Sequence, residues 1–110
     1  MEVMDRICHQ LNVHPIVLFM RGTPEKPMCE GSHTASQVLT QCGAAYLAVD
    51  IQTDPEIRAS LPKFADVPGF PQLFLQGELI GGAEVLVDLH EQGELAPMLA
   101  SCALPRASNQ

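Results

Sequence analysis

Five consecutive apolar residues, Ile16 to Met20, constrain the fold of this chain more than any other feature. The run has the length of a strand and contains no polar side chain, so it predicts a strand that is buried on both faces. Such a strand is typical of the centre of an α/β sheet with helices on both sides. With 110 residues, the chain has room for one domain of this kind.

The patterns on either side predict the element order α-β-α-β-α-β-β-α-α. Helices are expected over residues 2–12, from the loop at Cys29 to Cys42, from Asp54 to a stop at Pro62, over 83–92 and over 94–101; further strands are expected over 46–51, 73–75 and 79–80. The helical crossover makes the first two strands parallel, and the tight turn makes the last two antiparallel. We therefore predict a thioredoxin-like, four-stranded mixed sheet flanked by helices. A single domain should occupy residues 1–104, and residues 105–110 should form a flexible polar tail.

Helical spacing also predicts which side chains point inward. The first helix should bury Val3, Met4, Ile7, Cys8 and Leu11, and the helix after Gly82 should bury Val85, Leu86 and Leu89. Cys42 is interpreted as a core residue, and Cys8 and Cys102 as packing residues near the termini.

Charge and composition exclude several classes of function. The net charge is −7 and the six Lys and Arg residues are scattered, so no surface for nucleic acid can be built. No apolar segment is long enough to cross a membrane, and residues 1–13 lack the basic head and apolar block of a secretion signal. We therefore expect a cytoplasmic protein whose four cysteines are not a disulfide framework.

Cys29 is the best candidate for a reactive thiol. It stands where the loop after the first strand turns into a helix, and the N-terminus of a helix favours a thiolate over a thiol. Arg21 and Lys26 add positive charge to the same loop. No Cys-x-x-Cys pair occurs, because Ser32 stands where a second cysteine would be.

Two further motifs suggest a ligand site near this thiol. Pro71 follows Phe70 directly before a strand, where it cannot donate a ladder hydrogen bond and could leave the preceding main chain free to pair with a peptide. Gly81-Gly82-Ala83-Glu84 follows the hairpin, and the exposed amides of a helix start can hold a carboxylate.

As a set, these segments resemble the monothiol glutaredoxins over about residues 10–100. The matching segments are His14 to Pro24, Pro27-Met28-Cys29, Asp50-Ile51, Glu56-Ile57-Arg58, Leu61 to Phe64, Phe70 to Phe74, Gly77 to Gly82 and Gly93-Glu94-Leu95. The resemblance implies that the chain binds glutathione, and that two molecules hold a [2Fe-2S] cluster between them through one cysteine thiolate and one glutathione each. It also implies a homodimer bridged by the cluster, with BolA-like proteins or cluster acceptors as partners.

The resemblance assigns roles to individual positions. Arg21 and Arg58 are expected at the glycine carboxylate of glutathione. The main chain of Phe70 before Pro71 should pair with the cysteinyl unit. Gly82, Ala83 and Glu84 are expected at the γ-glutamyl end, and Cys29 should be both the reactive thiol and the cluster ligand.

The chain departs from the family's Cys-Gly-Phe-Ser motif, since it has Cys29-Glu30-Gly31-Ser32. The carboxylate of Glu30 should oppose the thiolate and so offset part of the effect of the helix dipole on its pKa, and it should crowd the approach of a cluster. Three functions therefore stay open: a cluster carrier or sensor, a glutathione-dependent oxidoreductase that uses only Cys29, and a degenerate member that binds partners.

Overall fold

The strand predicted at Ile16–Met20 lies at the centre of the sheet, and all five of its side chains are buried. A computed structural model describes residues 2–65 and 69–103; the predicted boundary at residue 104, the tail at 105–110 and Pro68 lie outside this range. The elements are α1 (Val3–Val13), β1 (Ile16–Met20), α2 (Glu30–Gln41), β2 (Leu47–Asp50), α3 (Pro55–Ala65), β3 (Gln72–Leu75), β4 (Glu78–Gly81), α4 (Ala83–Glu91) and α5 (Leu95–Ala103). The predicted element order is confirmed.

The sheet has the strand order β2-β1-β3-β4. Strand β1 runs parallel to β2 and antiparallel to β3, and β3 and β4 form an antiparallel hairpin. The two turn residues, Gln76 and Gly77, both have positive φ, which matches the right-handed twist of the flanking strands. The fold is thus a four-stranded mixed sheet with helices on both faces, the thioredoxin arrangement.

Alternation along β1 divides the core into two layers, because successive side chains of a strand point to opposite faces. Ile16, Leu18 and Met20 pack in one layer, together with buried residues of α2, α4 and α5. Val17 and Phe19 pack in the other layer, against α1 and α3. The rings of Phe19 and Phe74 meet there edge to face, with centroids 5.6 Å apart.

The predicted end of the third helix and the predicted packing of Cys8 are wrong. Helix α3 continues through Pro62 to Ala65. Proline cannot donate the hydrogen bond to the carbonyl four residues earlier, and here that residue is the exposed Arg58. Cys8 is exposed rather than packed. Helix α1 buries Ile7 and Leu11, one turn apart, and Cys8 lies about 100° around the helix from Ile7.

Arg6 joins the first and third helices. Its guanidinium donates to both carboxylate oxygens of Asp54, at 2.7 and 3.2 Å, and to Glu56 at 2.7 Å. Asp54 also accepts from the Ile57 amide near the start of α3. The hydrogen bond from Arg6 is the main cause that lowers the pKa of Asp54.

We expect Arg6→Gln to weaken the acid dependence of stability. Because the folded pKa of Asp54 is lowered, its stabilising contribution is present above the ordinary aspartate pKa of about 3.9 and is lost as the pH falls through the folded value. The difference in Tm between neutral and acidic pH should therefore be smaller in Arg6→Gln than in wild type. Lys26→Gln, which removes an exposed cation that has no ion pair with any described residue, is the matched control. An unchanged difference in Arg6→Gln would contradict this.

Candidate thiol and ligand site

The loop from β1 to α2 is folded so that it delivers Cys29 to the start of the helix. Met28 donates its amide to the carbonyl of Arg21 at 2.9 Å, and Gly22 forms a bridge with Pro27. Gly22 has φ +90°, and a Cβ there would lie 2.5 Å from the carbonyl oxygen of Lys26. Only glycine fits this close approach.

Cys29 is the N-cap of α2, and its sulfur has two partners on Ser32. The Ser32 amide donates to Sγ at 3.4 Å, and the Ser32 hydroxyl lies 3.2 Å from it. The same hydroxyl accepts a hydrogen bond from the Arg21 amide at 2.9 Å. Since this bond occupies an oxygen lone pair, the Ser32 proton is available to the sulfur when the thiol is ionised.

The thiol of Cys29 is more acidic than an ordinary cysteine. Burial opposes its ionisation, but the hydrogen bonds from Ser32, the charge of Arg21 and the Gly31 amide outweigh burial and lower the pKa. Glu30 is exposed and is not among these main influences. The net lowering is compatible with the expectation that Glu30 offsets only part of the stabilisation of the thiolate, and water screens an exposed carboxylate.

We expect Ser32→Ala to raise the pKa of Cys29, since the variant loses the hydroxyl that stabilises the thiolate. The pH midpoint of Cys29 alkylation by iodoacetamide should shift upward, and the rate at neutral pH should fall several-fold. Ser36→Ala is a suitable control, because Ser36 is also buried in α2 but bonds the His33 carbonyl. The prediction fails if both variants keep the wild-type midpoint.

A groove of about 500 Å³ lies beside the start of α2. Its walls are Gly31, Gly69, Phe70, Pro71, Gly82, Ala83, Glu84 and Val85. The peptide bond between Phe70 and Pro71 is cis. The groove therefore brings together the residues that the sequence assigned to the cysteinyl and γ-glutamyl ends of a ligand.

The two arginines predicted to bind the ligand differ in burial and in their position relative to Cys29. Arg21 is half-buried at the end of β1, and its charge acts on Cys29. Its Nε is buried and has no hydrogen-bond partner among the residues that the structure describes. Arg58 is exposed on α3 and is not a wall of the groove. The structure thus places Arg21, but not Arg58, beside the thiol.

Several site residues were missed in the sequence. Val85 is 40% exposed and lines the groove, so its predicted inward position is wrong. The end of β4 approaches α4 closely there, since a Cβ on Gly81 would lie 2.7 Å from Val85. Ser32 was noted only as a missing cysteine. Its position three residues after an N-cap was the available signal, since an N-cap side chain pairs with that amide.

The other thiols lie apart from this site. Cys42 is half-buried at the far end of α2, packs against the core and lies 3.7 Å from Nδ1 of His90. Burial raises the pKa of Cys42. Cys102 is buried and packs in the core, and Cys8, Cys29 and Cys42 form no disulfide.

Within residues 2–65 and 69–103, no three His, Cys, Asp or Glu side chains converge as a metal site. The same residues contain no helix that is both long and apolar enough to cross a bilayer. A thiol of lowered pKa at a helix start, with Ser32 rather than a second cysteine three residues later, defines a single-thiol protein of the thioredoxin fold.

Comparison with known proteins specifies the family. The Glutaredoxin family profile matches residues 16–80. Glutaredoxin 4 of Haemophilus ducreyi is 45% identical over 103 residues, which cover 94% of this chain and 96% of that protein. Reduced poplar apo GrxS14 has a TM-score of 0.79 and 31% identity, over 91% of this chain and 92% of that one. A buckwheat glutaredoxin, solved as a glutathione complex, shares the fold with a TM-score of 0.79 at 24% identity, over 90% and 88% of the chains. The chain belongs to the glutaredoxin family, as a monothiol member.

Proposed function

We propose that this chain binds glutathione in the groove at Pro71, and that two copies hold a [2Fe-2S] cluster through Cys29 and the bound glutathione for cluster transfer or sensing. The observation that carries the proposal is a thiol of lowered pKa at Cys29, two residues before Gly31, in a chain whose Gly31 shares a groove with the cis Phe70-Pro71 unit and the start of α4. The residues proposed for glutathione are Arg21, Arg58, Phe70, Pro71, Gly82, Ala83 and Glu84.

The charges around the groove suit a ligand with a carboxylate at each end. Arg21 is not a wall of the groove, but its positive charge acts on Cys29 and is proposed to meet one carboxylate. At the other end, Gly82 is the N-cap of α4, and the first amides of that helix are available to the second carboxylate. Phe70 and Pro71 line the wall between these ends.

A single thiolate also fits the proposed cluster cargo. Sulfur ligands suit iron–sulfur clusters, and Cys29 is partly exposed with a lowered pKa. Since the described residues converge on no multi-ligand metal site, each chain would supply one ligand and the remaining ligands would come from glutathione and a second chain. When bound, the cluster supplies iron and sulfide for an acceptor, and a BolA-like protein is a candidate partner.

Anaerobic reconstitution with iron, sulfide and glutathione tests the proposal. We expect visible absorption together with a dimer that depends on both glutathione and Cys29. A chain that binds glutathione in calorimetry but stays colourless and monomeric would eliminate the cluster and retain the glutathione site. A chain that does not bind glutathione would leave a degenerate partner-binding function.

A second candidate function is a glutathione-dependent oxidoreductase that acts through Cys29 alone. The hydrogen bonds from Ser32 favour it, because a thiolate at neutral pH is the attacking species in disulfide exchange. Glu30, at the expected approach of a cluster, favours it as well. We further propose a cytoplasmic location, where the thiols of Cys8, Cys29 and Cys42 would stay reduced.

A further inference from the structure

Helices α2 and α4 lie side by side and run in the same direction. At their first turns, a Cβ on Gly31 would lie 3.9 Å from the Cβ of Ala83. At their other ends, Sγ of Cys42, the C-cap of α2, lies 3.7 Å from Nδ1 of His90 in the last turn of α4. A thiol and an imidazole therefore meet where two parallel helices end, about 20 Å along α2 from Cys29.

The two helix ends make the surroundings of this pair electrically negative. The C-terminus of a helix carries a partial charge of about −0.5 elementary charges, and the two add here because both helices end at the same place. Neither α2 nor α4 contains a Lys or Arg to offset them. Glu91, which is exposed, directly follows His90 and adds a full negative charge nearby. This end of the helix pair therefore attracts a cation.

Both helix ends are closed by a glycine turn that holds the pair in place. Gly43 and Gly93 each have φ +75°, and their amides donate to the carbonyls of Thr40 and His90 at 2.9 and 3.0 Å. These are the left-handed positions with which helices commonly end. The side chain of Cys42 also packs against the core. The thiol and the imidazole are therefore positioned by rigid elements rather than by loops.

The distance between the two side chains fits a metal ion. Zn²⁺ binds thiolate sulfur at about 2.3 Å and imidazole nitrogen at about 2.0–2.1 Å, and tetrahedral geometry then separates the two ligand atoms by about 3.6 Å. The observed separation of Sγ of Cys42 from Nδ1 of His90 is 3.7 Å. A thiol is only a weak hydrogen-bond donor, so the contact without an ion has little to hold it at this distance. The two ligand atoms need not move apart to admit Zn²⁺.

We propose that the Cys42 thiolate and Nδ1 of His90 bind Zn²⁺ at the common end of α2 and α4. Binding displaces the thiol proton, which passes to solvent. No third His, Cys, Asp or Glu converges on the pair within the part of the chain that the structure describes. Both ligands are partly exposed, so water completes the coordination. The site is separate from Cys29 and does not depend on the function proposed for that thiol.

Calorimetric titration of Cys29→Ser with Zn²⁺, in a buffer without glutathione, tests the site. The background substitution removes the other thiol that could bind the ion, and we expect one equivalent of Zn²⁺ to bind. Co²⁺ in its place should give thiolate charge-transfer absorption and the visible bands of a tetrahedral ion. Adding Cys42→Ser should abolish both signals. Adding His90→Gln should weaken Zn²⁺ binding at least about tenfold, since loss even of a group that orients a ligand has an effect of that size.

Cys8→Ser and His33→Gln, in the same background, are the matched controls. They remove an exposed thiol on α1 and an exposed imidazole on α2, and both variants should bind Zn²⁺ as the background does. Loss of binding in Cys8→Ser would mean that an exposed thiol holds the ion. Equal affinities in His90→Gln and His33→Gln would mean that Cys42 binds it without the imidazole. Either result would overturn the proposal.

Two further measurements do not depend on how well the Cys42 variant folds. Zn²⁺ should shift the imidazole resonances of His90 in Cys29→Ser and leave those of His33 in place. It should also raise the Tm of Cys29→Ser, because an ion that binds only the folded chain stabilises it, and this rise should be absent when His90→Gln is added. If Zn²⁺ changes neither the His90 resonances nor the Tm, the contact is only a hydrogen bond between thiol and imidazole, and the proposal is wrong.

Discussion

Cys29→Ser should eliminate deglutathionylation of a small neutral mixed disulfide, with a loss of more than about a hundredfold. The substitution removes the sulfur that must form the intermediate disulfide, and no second cysteine lies nearby to replace it. The groove at Pro71 is built from other residues, so the variant should still bind glutathione in calorimetry. Loss of turnover with retained glutathione binding would show that Cys29 is the nucleophile and that other residues form the binding site.

Cys42→Ser is the matched control for this experiment. Cys29 and Cys42 flank opposite ends of α2. Because Cys42 is far from the site and burial raises its pKa, Cys42→Ser should leave turnover unchanged. Wild-type turnover in Cys29→Ser, or equal losses in the two variants, would show that Cys29 is not the nucleophile.

Phe19→Ala should lower the free energy of unfolding by about 3–5 kcal/mol. Phe19 is fully buried in β1 and meets the ring of Phe74, so truncation leaves a cavity where the central strand packs on α1 and α3. Urea denaturation, monitored by far-ultraviolet circular dichroism, measures the change.

Val13→Ala is the corresponding surface control. Val13 is 56% exposed at the end of α1, and its truncation should change the free energy of unfolding by less than about 0.5 kcal/mol. If Phe19→Ala were no more destabilising than Val13→Ala, the two-layer core described for β1 would be wrong.

The fold could be predicted because its signals are local. The apolar run of β1, the helical spacing in α2 and the Asp54-Pro55 helix start each specify one element through short-range pattern. Errors arose where a neighbour outside the pattern decided the outcome. Val85 has the spacing of a core residue, yet it lies beside Gly81 at the end of β4 and lines the groove, where it is 40% exposed.

The candidate site was predictable in its position and less so in its chemistry. The sequence places Cys29 after β1 and before a helix, which predicts a position beyond the carboxyl end of β1. The sign of its pKa shift depends on the hydrogen bonds from Ser32 and on the charge of Arg21. The Arg21 amide also donates to the Ser32 hydroxyl, a contact between residues eleven apart that no spacing rule specifies. Glu30, adjacent in sequence, points into water and has less influence than sequence proximity suggested.

The hydroxyl of Ser32 links the end of β1 to the sulfur of Cys29. Because this link forms on folding, folding lowers the pKa of the thiol, and ionisation of the thiol in turn stabilises the fold. A thiol whose pKa is lower in the folded chain than in the unfolded one stabilises the fold fully above its unfolded pKa, and this contribution is lost as the pH falls through the folded pKa. Conversion of Cys29 to a mixed disulfide removes the negative charge from the sulfur at any pH. The thiolate form should thus be thermally more stable than the mixed disulfide, and any exchange through Cys29 would pass through a form that lacks this stabilisation.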